Sequence, residues 1–170
     1  MATEEDILRR VQTVRRYFEH VWNAAEAEAI SELVSADYVG HDPDFRGENA
    51  RELLGPEGAK DMVGFYKFAF PDLKVTIEDI FGHADRVSVR WFAEGTHAAD
   101  FCGVEPFDEL VHFDGMTIFR LDVDDMIAEE WILVDVYGIL RQIGGIEQLN
   151  PQATETPIGQ PEDEPSEESP

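Results

Sequence analysis

Leu73-Lys74-Val75-Thr76-Ile77-Glu78 marks the point where the period of this chain changes. Leu73, Val75 and Ile77 are apolar while Lys74, Thr76 and Glu78 are polar, the alternation of a half-buried strand. Downstream the pattern repeats at Arg86 to Glu94, roughly Phe107 to Leu121, and Met126 to Val134. Gly82-His83-Ala84-Asp85 and Asp122 to Asp125 separate these runs. Upstream the period is helical. Met62, Val63, Tyr66 and Phe70 form the apolar face of a helix that Pro56 suits at its first turn and Pro71 stops.

Further outward, Thr3 with Asp6 predicts a capped helix start. Ile7, Val11, Val14, Phe18, Val21 and Trp22 then recur at helical spacing. A short helix is expected from Ala25 to Val34, and Ala36 to Pro43 leaves it as an extended piece, with Asp44 to Gly55 loop-like. Asp135 can cap a last short helix through Ile139, Leu140 and Ile143. Helices followed by a run of antiparallel strands indicate an α+β domain. The expected architecture is a curved antiparallel sheet forming a cone, with three N-terminal helices enclosing a pocket.

The chain has 170 residues, with 13 Lys and Arg against 37 Asp and Glu, a net charge of −24. Such a balance argues against nucleic acid and anionic membranes as partners, because both need clustered basic residues. No apolar run approaches the length of a membrane span. The acidic start, Met1-Ala2-Thr3-Glu4-Glu5-Asp6, is unlike a secretory signal, so the expectation is a cytoplasmic protein. From Asn150 the chain holds six acids, no bases and five prolines, the composition of a disordered tail. Residues 1–149 are therefore expected to form the domain and 150–170 an acidic tail. Without the tail the domain still carries −18, with only Lys60, Lys67 and Lys74 as lysines, a surface resembling that of proteins from salt-loving microbes. One cysteine, Cys102, excludes an intrachain disulfide. The scattered histidines lack ligand spacing, so no metal site is expected.

Several segments, in this order, resemble the SnoaL-like polyketide cyclase (ester cyclase) family of the nuclear-transport-factor-type cone fold. They are Trp22-Asn23, Asp37-Tyr38-Val39-Gly40-His41-Asp42-Pro43, Gly55-Pro56-Glu57-Gly58, Phe70-Pro71-Asp72-Leu73 and Asp85-Arg86-Val87 with Val89-Arg90-Trp91. Gly95-Thr96-His97, Ile118-Phe119-Arg120, Glu129-Glu130-Trp131 and Leu140-Arg141-Gln142-Ile143-Gly144 follow. The resemblance implies a mostly apolar pocket for a small organic molecule, usually no metal or organic cofactor, and a homodimer; the expected ligand is a small, largely hydrophobic carbonyl compound. It also implies acid/base catalysis by a histidine on the penultimate strand and an aspartate on the last. Carried over through Ile118-Phe119-Arg120 and Trp131, those positions are Thr117 and Ile132 here, which departs from the cyclase pattern.

Other residues remain candidates. Asp42, in His41-Asp42-Pro43, lies where ketosteroid isomerases of the same fold look similar, and a carboxylate in an apolar cone could take a proton alpha to a carbonyl. An Asx-type turn, with His41 packing on the rim, is the structural alternative. Arg90, if inside the cone, needs a partner such as Asp42, Glu130 or Asp135, and could then bind an oxyanion or only close the cone. His97 could be an acid at the pocket mouth or a turn residue. Asp135 could be a relocated acid/base or a helix cap, and His112 with Asp114 a pocket pair or an exposed face. Tyr66 and Trp131 would serve core packing first and pocket lining second. The functional expectation is cofactor-free cyclisation or isomerisation with Asp42, His97 and Asp135 as catalytic groups. His41, Tyr66, Arg90 and Trp131 would then bind substrate. A non-catalytic ligand-binding or dimeric scaffold protein is the other possibility.

Overall fold

A computed structural model describes residues 2–42 and 53–146. Pro43, most of the Asp44 to Gly55 loop and the acidic tail lie outside the described residues. Helix α1 (Glu4–Arg16) starts as its sequence predicts: the Thr3 hydroxyl accepts from the Asp6 amide at 3.2 Å, and the Asp6 carboxylate accepts from the Thr3 amide at 2.7 Å. The expected helix to Trp22 continues, but as a π-helical segment, Tyr17–Asn23. Its wider turn brings Tyr17, Phe18, Val21 and Trp22 all into the core. The Asn23 amide ends it by bracketing the Val75 backbone, accepting from its N–H at 2.7 Å and donating to its carbonyl at 2.9 Å.

Helix α2 (Ala27–Leu33) leads into β1 (Val34–His41), and a short β2 (Leu53–Leu54) precedes α3 (Gly55–Ala69). The remaining strands are β3 (Lys74–His83), β4 (Arg86–Thr96), β5 (Leu110–Leu121) and β6 (Ile127–Val134), closed by α4 (Val136–Gln142). All six strands form one curved, open sheet in the order β2-β1-β6-β5-β4-β3. The α+β class stands as expected. One pairing departs from an all-antiparallel sheet, because β1 runs parallel to β6. No short hairpin joins these two strands, so chain connection does not dictate their direction.

The sheet has one dry face. On β5, Val111, Phe113, Gly115, Thr117, Phe119 and Leu121 are buried, and their neighbours point outward. Tyr17 and Phe18 meet Phe119 edge-on, with ring centroids 5.8 and 6.0 Å away. His112 and Asp114 lie on the outer face, where the His112 ring stacks on Phe92. Among the described residues no helix is long and apolar enough to cross a membrane.

Candidate functional site

Strand β6 alternates so that Ala128, Glu130 and Ile132 face the core while Glu129, Trp131 and Leu133 face outward. This places a carboxylic acid, Glu130, in a fully buried position. Its Oε2 accepts from the Tyr38 hydroxyl at 2.9 Å and the Tyr17 hydroxyl at 3.2 Å. Its Oε1 is buried and has no hydrogen-bond partner among the described residues. Burial pushes the Glu130 carboxyl up to about 7, the charge of Asp42 acts in the same direction, and the two tyrosine bonds oppose them. Burial also raises both phenols well above their ordinary value, and Glu130 adds to this, so they remain donors.

Asp42 follows β1 on the same inner side and is 3% exposed. Its Oδ2 accepts from the Tyr66 hydroxyl on α3 at 3.1 Å. The Tyr66 ring packs on Trp22 at 5.9 Å and lines an apolar void with Phe18, Trp91, Phe113 and Ile132. The π-helix, β1, β6 and α3 thus bring two carboxyls and three tyrosines to one end of the aromatic interior.

Among the described residues, that interior is nearly full. The void has a free volume of about 10 Å³, room for about one water. Trp22 and Trp91 are the bulkiest of the side chains on its wall. The indole of Trp91 lies over Gly115, its cross-strand partner, where a Cβ would collide with the ring. Its N–H donates to the Thr117 hydroxyl at 3.0 Å. Thr117 and Ile132 face each other across β5 and β6, the penultimate and last strands. The first holds Trp91 and the second walls the void. Glu130 stands two residues before Ile132 on the same face. The sequence raised Glu130 only as a possible partner for Arg90; its alternation with Ala128 and Ile132 is the signal that identifies it.

Of the seven residues expected in a site, Asp42 and Tyr66 meet. The other five lie elsewhere. Arg90 sits between buried Val89 and Trp91, so parity turns it outward, and it forms a close ion pair with Glu78 on β3 rather than with Asp42, Glu130 or Asp135. Asp135 is exposed and caps α4, accepting from the Gly138 amide at 2.9 Å. His41 and Trp131 also face outward. Their rings stack at 5.2 Å and 9°, and Arg86 lies over Trp131 at 5.0 Å. His41 Nε2 is 2.9 Å from Glu129, which also accepts from Arg120 at 2.8 Å. Burial works to raise the Glu129 carboxyl, and these two contacts outweigh it, leaving it below the usual carboxylate range.

His97 is fully buried beyond the end of β4, with its ring 5.6 Å from that of Phe70. Its Nδ1 accepts from the Phe107 amide at 3.2 Å, so the neutral ring carries its proton on Nε2. Burial lowers its pKa. Among the described residues no three His, Cys, Asp or Glu side chains gather as a metal site.

Comparison with known proteins gives this geometry a family. The model of the SnoaL-like polyketide cyclases matches residues 12–143. No curated protein matches the sequence. Among solved structures, IdmH from Streptomyces antibioticus is 27% identical with a TM-score of 0.69, covering 79% of this chain and 98% of its own. A protein of Jannaschia sp. CCS1 assigned to the SnoaL-like polyketide cyclases is 22% identical, with a TM-score of 0.72 over 84% of this chain and 96% of that one. A SnoaL-like polyketide cyclase of Agrobacterium tumefaciens is 21% identical, with a TM-score of 0.64 over 85% of this chain and 100% of its own. The match along the sequence and the shared fold agree: the chain belongs to the SnoaL-like polyketide cyclase family.

Proposed function

We propose that the chain binds a small, largely apolar carbonyl compound inside its cone and moves a proton on it without a cofactor, as in cyclisation or isomerisation. The observation that carries this is Glu130. A buried carboxyl that exchanges its proton near neutral pH can both give and take one during a reaction. Asp42, tied to the void through Tyr66, is the second proton-handling group. A ligand larger than water requires Trp91 or its neighbours to move aside. The acidic surface suits a cytoplasm rich in salt, where charge repulsion is screened.

A second reading, a non-catalytic ligand-binding or dimeric scaffold protein, draws support from the near-filled interior and from Thr117 and Ile132 in place of the cyclase pair. On the outer sheet face Met116 and Leu133 are 57% and 65% exposed, an apolar surface that a second copy could cover. Native mass spectrometry with a panel of apolar ketones and quinones, followed by turnover assays of Glu130→Gln and Asp42→Asn, separates the two. A one-to-one complex and lost turnover are expected. Retained ligand with no turnover in the parent protein would favour the non-catalytic reading.

A further inference from the structure

We infer that Glu130 holds its ligand as a hydrogen-bond donor through Oε1, and that the polar end of the ligand is an uncharged acceptor oxygen. This rests on the proposed carbonyl ligand and assigns the atom that grips it. The two oxygens of Glu130 are not equivalent. Oε2 already receives hydrogens from Tyr38 and Tyr17. Both phenols stay protonated and, in this arrangement, donate to Oε2, so together they use its two acceptor sites. A proton on Glu130 therefore has one position left, Oε1, which is buried and has no partner among the described residues.

The surroundings favour that proton. Facing Glu130 are Tyr17 from the π-helix, Tyr38 from β1 and the charge of Asp42 just beyond β1. Its register neighbours are Phe119 on β5 and Gly40 on β1, and among the described residues no Arg, Lys or His pairs with it. An O–H buried without an acceptor is costly, and a ligand that brings a neutral carbonyl oxygen removes that cost. An ammonium would offer only further hydrogens to a group that already presents one.

Acetophenone and 1-phenylethylamine share a carbon skeleton and differ in this polar end. Their binding to the full chain is measured by calorimetry at pH 6 and pH 8, together with Glu130→Gln. The parent protein is expected to bind acetophenone about tenfold more weakly at pH 8, because only the protonated fraction is competent. The amine is expected to bind more weakly than the ketone at pH 6, where Oε1 carries the proton. The Gln variant can keep its oxygen on the tyrosines and present its NH₂ as donor, so its ketone affinity should be the same at both. Ketone binding that is independent of pH in the parent, stronger at pH 8, or surpassed by the amine at pH 6 overturns the donor assignment while the carbonyl site survives. If neither protein binds acetophenone at either pH, both fall.

Discussion

The indole of Trp91 occupies the space above Gly115 that any other residue would need for its Cβ, and its N–H is held by Thr117 at 3.0 Å. Gly115 and Thr117 together fix the ring that fills the cone. Gly115→Ala should therefore displace Trp91 and cost about 1–3 kcal/mol, the usual range for overpacking a core. Trp91→Phe in the same chain should recover part of that loss. Urea unfolding of the two single variants and the double variant measures the coupling, and simple additivity would show that the contact is not what constrains position 115.

Glu130 should give stability a distinctive slope with pH. The unfolded carboxyl titrates near 4.5 and the folded one near 7. Between these values the folded chain keeps a proton that the unfolded chain has lost, so stability is full below 4.5 and declines as pH rises through 7. The whole window amounts to roughly 3 kcal/mol. Glu130→Gln should lack this decline and exceed the parent in stability at pH 8. Unfolding midpoints at pH 5, 6, 7 and 8 test it, and parallel curves for both proteins would contradict it.

Tyr38 opposes the rise of the Glu130 pKa by donating to Oε2 at 2.9 Å. Tyr38→Phe removes that bond with little change of shape. The Glu130 titration should then move above 7, as followed by the carboxyl carbon resonance. A midpoint that stays in place or falls would mean that the bond does not stabilise the ionised form.

Much of this arrangement is readable from alternation alone. Val87, Val89, Trp91 and Ala93 already turn Arg90 outward, and Val111 to Leu121 predicts the dry face of β5. The acid pair Glu129-Glu130 is harder, because a one-residue shift of register exchanges which carboxyl enters the core. Only the pairing of β6 with β5 and β1 settles it. Nothing local distinguishes the π-helical turn from an α-helix in Tyr17 to Asn23, yet that turn brings the Tyr17 hydroxyl to Glu130. Asp42 was legible as a carboxyl entering an apolar interior. His97 and Asp135 have the right chemistry for a site, and their distance from it depends on nonlocal placement.

Asp135 caps α4 and touches no part of the buried carboxyl cluster. Asp135→Ala should lower stability by about 1 kcal/mol, as the loss of a helix cap does. Any turnover found for the parent should be unchanged once folded protein is matched. A loss of activity in the correctly folded variant would bring Asp135 back as a reacting group.

His97 should shape the acid side of the stability curve, with a sign opposite to that of Glu130. Its ring is fully buried, accepts from the Phe107 amide, and has its pKa lowered by burial. The folded state therefore stays neutral where the unfolded histidine, near 6.5, begins to take up a proton. That contribution is complete above 6.5 and is lost as pH falls through the folded value. Protonation would also remove the lone pair that receives the Phe107 N–H, at the segment joining β4 to β5. His97→Gln can supply an amide oxygen to the same N–H and does not titrate. Relative to the parent it should soften the loss of stability between pH 6.5 and 5, while the Glu130 decline between pH 4.5 and 7 is present in both proteins. The difference in urea midpoint between variant and parent, followed from pH 5 to 7, isolates the histidine. An unchanged acid limb in the variant would assign acid sensitivity to the carboxylates instead.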